Sequence, residues 1–533
     1  MRSGIIRGGF CVVLLLVLHS QGKVYAQGRI DFPLASAISG DAREHFLQGI
    51  SRLHAFDWAQ ARSLFQQTQS QAPQFALAYW GEALTYNPPL GEDLDLHSPN
   101  AVLAKLAPTT ETRLAMVTGE LETGLLKALE DFLNTPGGLR ERRQAFLDQL
   151  ARVYRIHPSE PEVQAFYALA LLSVAAQSDG PSRQQLHQEA GQVALQLFNQ
   201  HPGHVGGAQY TVLAHDEPGQ LNLALAAATQ LRELESPSAH LRHVAARPSV
   251  HQGQWYDTAE ANEIAFFSAR GSWQPGMPLD VLLETLEWGQ YADLQLADYQ
   301  QAQEWLERVL ELVDLNPGLV SAQRTLGRMQ ARYAVESQTW LPFEDTLQGS
   351  PPELLAVGLG AIVIHDLELA RNANQLLKAE ADKFPHDGLL RLTQLTLEGG
   401  LQYASGQEIE SRRVFEEARA QLSIQGPDYG LPQPIKPTLE LYGETLLRSG
   451  KPVQAADIFR EALLRAPQRP ESLLGLARSY TAMGDPFKAN SHYQRILDTW
   501  GERKLLASSE AKTHLSVYGE PSPAIDPAAT SRP

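Results

Sequence analysis

The chain has 533 residues, 44 of them basic and 61 acidic, for a net charge of −17 and one cysteine. So acidic a balance argues against nucleic acid and anionic lipid as partners, since affinity for both depends on Lys and Arg neutralising phosphate. A lone cysteine excludes an internal disulfide, and a chain this long can bury enough core without one.

The first residues read as a leader. Arg2 and Arg7 precede the apolar run Cys11 to Leu18, and Val24-Tyr25-Ala26 places small residues where a signal peptidase cuts. The run is far shorter than the roughly 20 residues of a membrane-spanning helix, and no other stretch is apolar enough to span. Residues 1–26 are therefore expected to be a signal peptide, cleaved near Ala26, and the product secreted or periplasmic. Cleavage removes Arg2, Arg7 and Lys23 with no acid, so the net charge moves from −17 to about −20. Cys11 leaves with it, and thiol chemistry with Cys11.

Beyond the leader the pattern is helical and repeated. Gly49, Ala61, Phe65 and Pro73 form one unit, and Trp288-Gly289 with Ala302, Leu306 and Val309 another. Ala373, Leu377 and Pro385 give a third, and Phe415 with Ala418 a fourth. The clearest unit is Gly443, Ala455, Phe459, Ala462 and Pro467, followed 34 positions later by Ala477, Ala489, Tyr493 and Ile496. That period is the helix–turn–helix repeat of tetratricopeptide proteins: small residues where two helices approach, an aromatic filling the gap, a proline ending the second helix. Ser449-Gly450-Lys451 and Met483-Gly484-Asp485 are the expected turns within pairs. Apolar residues recur at three- and four-residue steps through 165–175 and 221–234, and alternating strand-like runs are absent. The expected fold is all-α, a solenoid of roughly ten or more stacked helix pairs, because one pair cannot bury its apolar stripe alone.

The expected layout is an N-terminal array over 27–275, a middle array over 276–424, and a C-terminal pair over 438–505. Residues 425–437 (QGPDYGLPQPIKP) cannot be regular helix and are expected to pack as an extended connection. Residues 506–533 mix Ser, Ala, Pro and charge, and are expected to be disordered.

The run from Phe46 to Leu84 resembles the opening of a family of bacterial tetratricopeptide repeat proteins with a histidine-rich middle section. So do FYALALL (166–172), HDEPGQLNLAL (215–225) and AHLRHVAARPSV (239–250). The resemblance runs from about Ile30 to Asp498 and implies the fold far more than an activity. Members of that family carry an HxxxH block before an Asp-Asp-Pro turn, then an HxxHMPSH-like block. Here His204 matches the histidine ahead of the first block, Asp216-Glu217-Pro218 the turn, and His240 and His243 the start of the second block. Gln209, Leu213 and Arg247 stand where three further histidines would be.

His240 and His243 are three apart and share a helix face, so with His204 they are the candidate metal ligands. Asp216 or Glu217 offers a carboxylate, while a positive Arg247 opposes a cation nearby. The competing reading is a set of capping and packing histidines with no ion. His204, Asp216, His240, His243 and Arg247 form the candidate ligand set, and no other cofactor is expected. GxSxG, HExxH and phosphate-loop motifs are absent, so no catalytic set is expected. Trp58, Tyr79, Trp80 and Tyr86, with Trp255, Tyr256, Phe266, Phe267 and Trp273, are candidate groove aromatics beside Arg242 and Arg247. The leading expectation is a scaffold whose groove holds a protein or peptide partner. The alternative is a metal- or small-ligand-binding protein with a degenerate histidine site.

Overall fold

The computed structural model describes residues 30, 32–36, 38–234, 237–340 and 349–519; the leader and residues 520–533 lie outside them. Among the described residues there are 25 α-helices, one short 3-10 turn and no strand. None of those helices is long and apolar enough to cross a membrane.

One recurring contact builds the stack. Phe65, on helix Trp58–Gln71, lies between Gly49 and Gly81, and a Cβ on either glycine would come within 2.7 or 2.5 Å of its ring. Phe459 repeats this between Gly443 and Gly475, at 2.8 and 2.2 Å. Trp305 fills the same place against Gly289, and Phe415 against Gly399. In each case the aromatic follows its glycine by sixteen positions. The second helix of a pair thus inserts one ring into its own first helix and, at Phe65 and Phe459, into the next first helix as well. Only glycine permits that approach.

The turns within pairs share one backbone device. A left-handed residue precedes the start of the second helix at Phe56, Ala297, His365, Gly406, Gly450 and Gly484. Asp298, Asp366 and Asp485 then cap that helix by accepting from the backbone N–H of Gln301, Leu369 and Lys488. Glycine marked two of these turns in the sequence. At Phe56, Ala297 and His365 the same turn forms without it.

The solenoid closes on itself. Trp58 Nε1 donates to Asp280 at 3.1 Å, and Asp93 accepts from Ser321 Oγ. Trp500 Nε1 donates to the Gln295 carbonyl at 2.9 Å, and Arg469 bonds both Glu440 and Glu336. The last pairs therefore pack back onto the middle of the array. The boundary expected at 275–276 is not a break in the core: Phe266 shares a cluster with Leu279, Leu282 and Leu286. The tail expected to be disordered from 506 is instead helical over Leu505–Tyr518, burying Ala507, Ser508, Ala511 and His514. Small residues at three- and four-residue steps gave that helix no apolar signal, yet they fit closely against Tyr493 and Trp500.

Candidate functional site

The histidine section divides into two separate clusters. In the first, His54 ends helix Gly40–His54, Glu162 opens helix Pro161–Ala175, and His204 caps helix Val205–Ala214. His54 Nε2 lies 2.9 Å from one Glu162 oxygen and His204 Nε2 lies 3.0 Å from the other. Tyr210 O–H meets His54 Nδ1 at 2.8 Å. All four residues are buried.

Burial alone would raise the Glu162 carboxyl, but the two imidazoles beside it outweigh that and hold it down at about 2. Burial also lowers His54, against the opposing pull of the carboxylate. Among the described residues these three form the one group with ligand atoms all within 4.8 Å, a spacing close to that of a metal site. The protons argue otherwise. The Gly207 N–H donates to His204 Nδ1 at 3.1 Å, so the ring proton is on Nε2 and points at Glu162. A metal on Nε2 would require that proton on Nδ1, facing another N–H. The arrangement is a hydrogen-bonded clasp joining three distant helices.

The second cluster lies on helix Ala239–Gln252. Arg247 Nε donates to Asp216 at 2.7 Å, and His251 meets the other Asp216 oxygen at 3.0 Å. Burial pushes Asp216 up, yet Arg247 and His251 bring it to about 2. Asn262 donates through its amide nitrogen to the Thr258 carbonyl, so its oxygen is left to accept from His243 Nδ1 at 2.7 Å. His243 therefore presents an unprotonated Nε2, held to about 3 by burial and Arg247. That nitrogen is 3.5 Å from Arg247 Nη1 and 3.5 Å from Glu284. His240 stacks on Phe56 at 4.4 Å, and neither of its nitrogens has a hydrogen-bond partner.

The expected metal set His204, His240 and His243 is thus not assembled. His204 turns to Glu162, and the two others face Glu284. Arg247 already places a cation against His243 and over the Trp288 ring at 4.5 Å. Asp216, expected as a ligand, is the Arg247 counter-ion. Most expected groove aromatics are core instead: Trp80, Trp255 and Phe266 are buried, and Tyr256 and Phe267 are exposed.

What the sequence did not locate is a cavity between the helix pairs. About 570 Å³ in volume, it is bordered by Arg183, His187, Arg247, Glu284, Trp288 and Tyr429. The segment from Gly426 to Pro437 runs across it as a strap. Tyr429 lies flat on His187, with centroids 3.5 Å apart and planes 4° apart. Asp428 pairs with Arg465 at 3.2 Å, Leu431 packs near Trp255 and Trp288, and Ile435 is buried. Gly430 has φ +124°, and a Cβ there would sit 3.2 Å from Arg247 Nη2 and 3.4 Å from Trp288.

Comparison with known proteins agrees with the repeat geometry. The tetratricopeptide repeat family matches residues 446–499, which hold the Phe459 and Tyr493 units. This stretch is similar to a tetratricopeptide repeat. The same glycine–aromatic contact recurs at Phe65, Trp305 and Phe415, so the whole described chain is a tetratricopeptide-like α-solenoid. Similar solved structures include the APC/C hetero-tetramer Cut9–Hcn1, with 13% identity, 91% of this chain and 78% of that one covered, and TM-score 0.39. The human IFIT1 dimer with m7Gppp-AAAA is 13% identical over 89% of this chain and 98% of that one, at TM-score 0.38. Yeast Tom70 is 12% identical over 90% and 89%, at TM-score 0.28. No curated sequence relative matches the chain.

Proposed function

We propose that this protein is an exported tetratricopeptide-like scaffold whose concave face binds an extended segment of a protein or peptide partner. The observation that carries this reading is the strap. Residues 426–437 are non-helical and are held by side chains of four different helices: His187, Arg247, Trp288 and Arg465. Ring stacking, ion pairing and glycine-backbone approach are the contacts by which a solenoid groove grips an extended peptide. The interior is chemically suited to polypeptide because it already accommodates one.

Export is inferred from the leader sequence alone. No catalytic role and no resident cofactor form part of this reading; the histidines serve as clasp and cavity wall.

The test uses a variant in which residues 427–434 are replaced by a Gly/Ser linker of equal length, and a synthetic peptide of residues 425–437 labelled for fluorescence anisotropy. Saturable binding that weakens on Trp288→Ala supports the reading. If the variant folds, by far-ultraviolet circular dichroism, yet takes up no peptide, the concave face is no peptide groove.

A further inference from the structure

Beneath the strap, the cavity wall holds polar groups of both signs whose hydrogen-bonding capacity the protein leaves partly unused. Arg183 makes no hydrogen-bonded ion pair among the described residues; it lies over the Tyr429 ring at 5.2 Å, with Asp179 and Asp428 as its nearby carboxylates. Arg247 bonds Asp216 through Nε and approaches His243 through Nη1, while its Nη2 lies against Gly430. On the acceptor side, Glu284 Oε2 is buried and receives no hydrogen bond. Its side chain as a whole keeps 30% of its surface open, as a group on a cavity wall does. His187 is 8% exposed and borders the same cavity, and its Nδ1 has no partner. Buried polar groups in folded proteins are nearly always bonded, to protein, water or ligand, so Glu284 Oε2 and His187 Nδ1 are the positions at which an occupant of this cavity would bond.

The charge balance narrows the occupant. The cavity wall carries five arginines (183, 247, 328, 332, 465) and five carboxylates (179, 284, 287, 387, 428). Several cancel in place. Arg328 and Arg332 share Glu287, Arg465 takes Asp428, and Asp387 caps its own helix at Leu390. A polyanion or a polycation would leave one sign buried and unmet. A ligand carrying one charge of each sign meets both.

We propose that this cavity binds a small zwitterion, a short peptide or a free amino acid, with its carboxylate on Arg183 and Arg247 and its ammonium on Glu284. Trp288 and Tyr429 supply flat apolar faces for its remainder, and His187 is a neutral hydrogen-bonding group for a ligand amide. The volume of about 570 Å³ falls within the roughly 300–1,000 Å³ of small-ligand sites. The inference leaves the strap in place, so it stands or falls separately from the groove reading above.

The test is calorimetric titration of the full mature protein with trialanine, its N-acetyl and C-amide forms, the doubly blocked form, and free alanine. Free trialanine is expected to bind saturably, with each single block weakening it at least tenfold. In Glu284→Gln the N-acetyl penalty should vanish while the amide penalty stays; in Arg183→Gln the amide penalty should shrink while the N-acetyl penalty stays. This pairing separates a charge contact from a general loss of fold. Alanine binding as tightly as trialanine assigns the site to free amino acids, and weaker alanine binding assigns it to peptides. Absence of saturable binding by either, or equal affinity for the doubly blocked peptide, overturns the proposal.

Discussion

Replacing Glu162 by Gln tests whether the His54–Glu162–His204 cluster is a structural clasp or an empty metal site. In the folded chain the carboxylate accepts from two imidazoles, at 2.9 and 3.0 Å, and is held at about 2 against an ordinary 4.5. At about 1.4 kcal/mol per pKa unit, that displacement corresponds to about 3 kcal/mol of stability at neutral pH. The folded value lies below the unfolded one, so this contribution is complete above pH 4.5 and is lost as pH falls toward 2. Glutamine keeps one acceptor and adds an NH₂ that opposes one of the ring N–H donors. His204 cannot switch tautomer to suit it, because the Gly207 N–H occupies Nδ1. One charge-assisted bond of about 1.5–3 kcal/mol is lost and one donor is left unmet at about 1–3, so the local cost is about 3 kcal/mol or slightly more. Solenoids unfold in pieces, and the measurement should therefore be local. Hydrogen exchange over helix Val205–Ala214 is expected to lose about a hundredfold in protection. The parent protein should show the same loss on acidification from pH 5 toward pH 2. Unchanged protection in Glu162→Gln, or protection in the parent that rises on adding zinc and falls on chelation, would refute the clasp.

Three further outcomes follow from the packing. Phe459→Ala removes the ring that fills the space against both Gly443 and Gly475, and should destabilise the C-terminal pairs by about 3–5 kcal/mol, read as the first transition in urea. Gly430→Ala forces a side chain to φ +124° and against Arg247; the strap should loosen by about 1–2 kcal/mol, seen as faster proteolysis confined to residues 426–437. His365→Gly, at an exposed turn with φ +63°, should leave stability unchanged or raise it by up to about 1 kcal/mol in thermal unfolding.

The repeat was legible in the chain because its cause is local. A glycine and an aromatic sixteen positions apart, an aspartate after a turn, and apolar residues at three- and four-residue steps act within one helix pair, and they suffice for the all-α solenoid. The same reading placed residues 425–437 outside regular helix, since six of those thirteen residues are Pro or Gly and disrupt a helical ladder. It failed where small residues pack without an apolar signature, as in helix Leu505–Tyr518, and where left-handed turns form at Phe56, Ala297 and His365 without glycine. The histidines show the deeper limit. His240 and His243 share a helix face, with ring centroids 5.9 Å apart, but the partner of His204 is Glu162, 42 positions away, and the third member, His54, lies 108 from that carboxylate. No periodicity links such positions; only the curvature of the superhelix brings them together. The cavity is likewise a property of closure. Arg183 and Glu284 belong to separate helix pairs and Tyr429 to the strap, and tertiary contact alone brings them together, so the local pattern determines the elements while tertiary contact decides what they border.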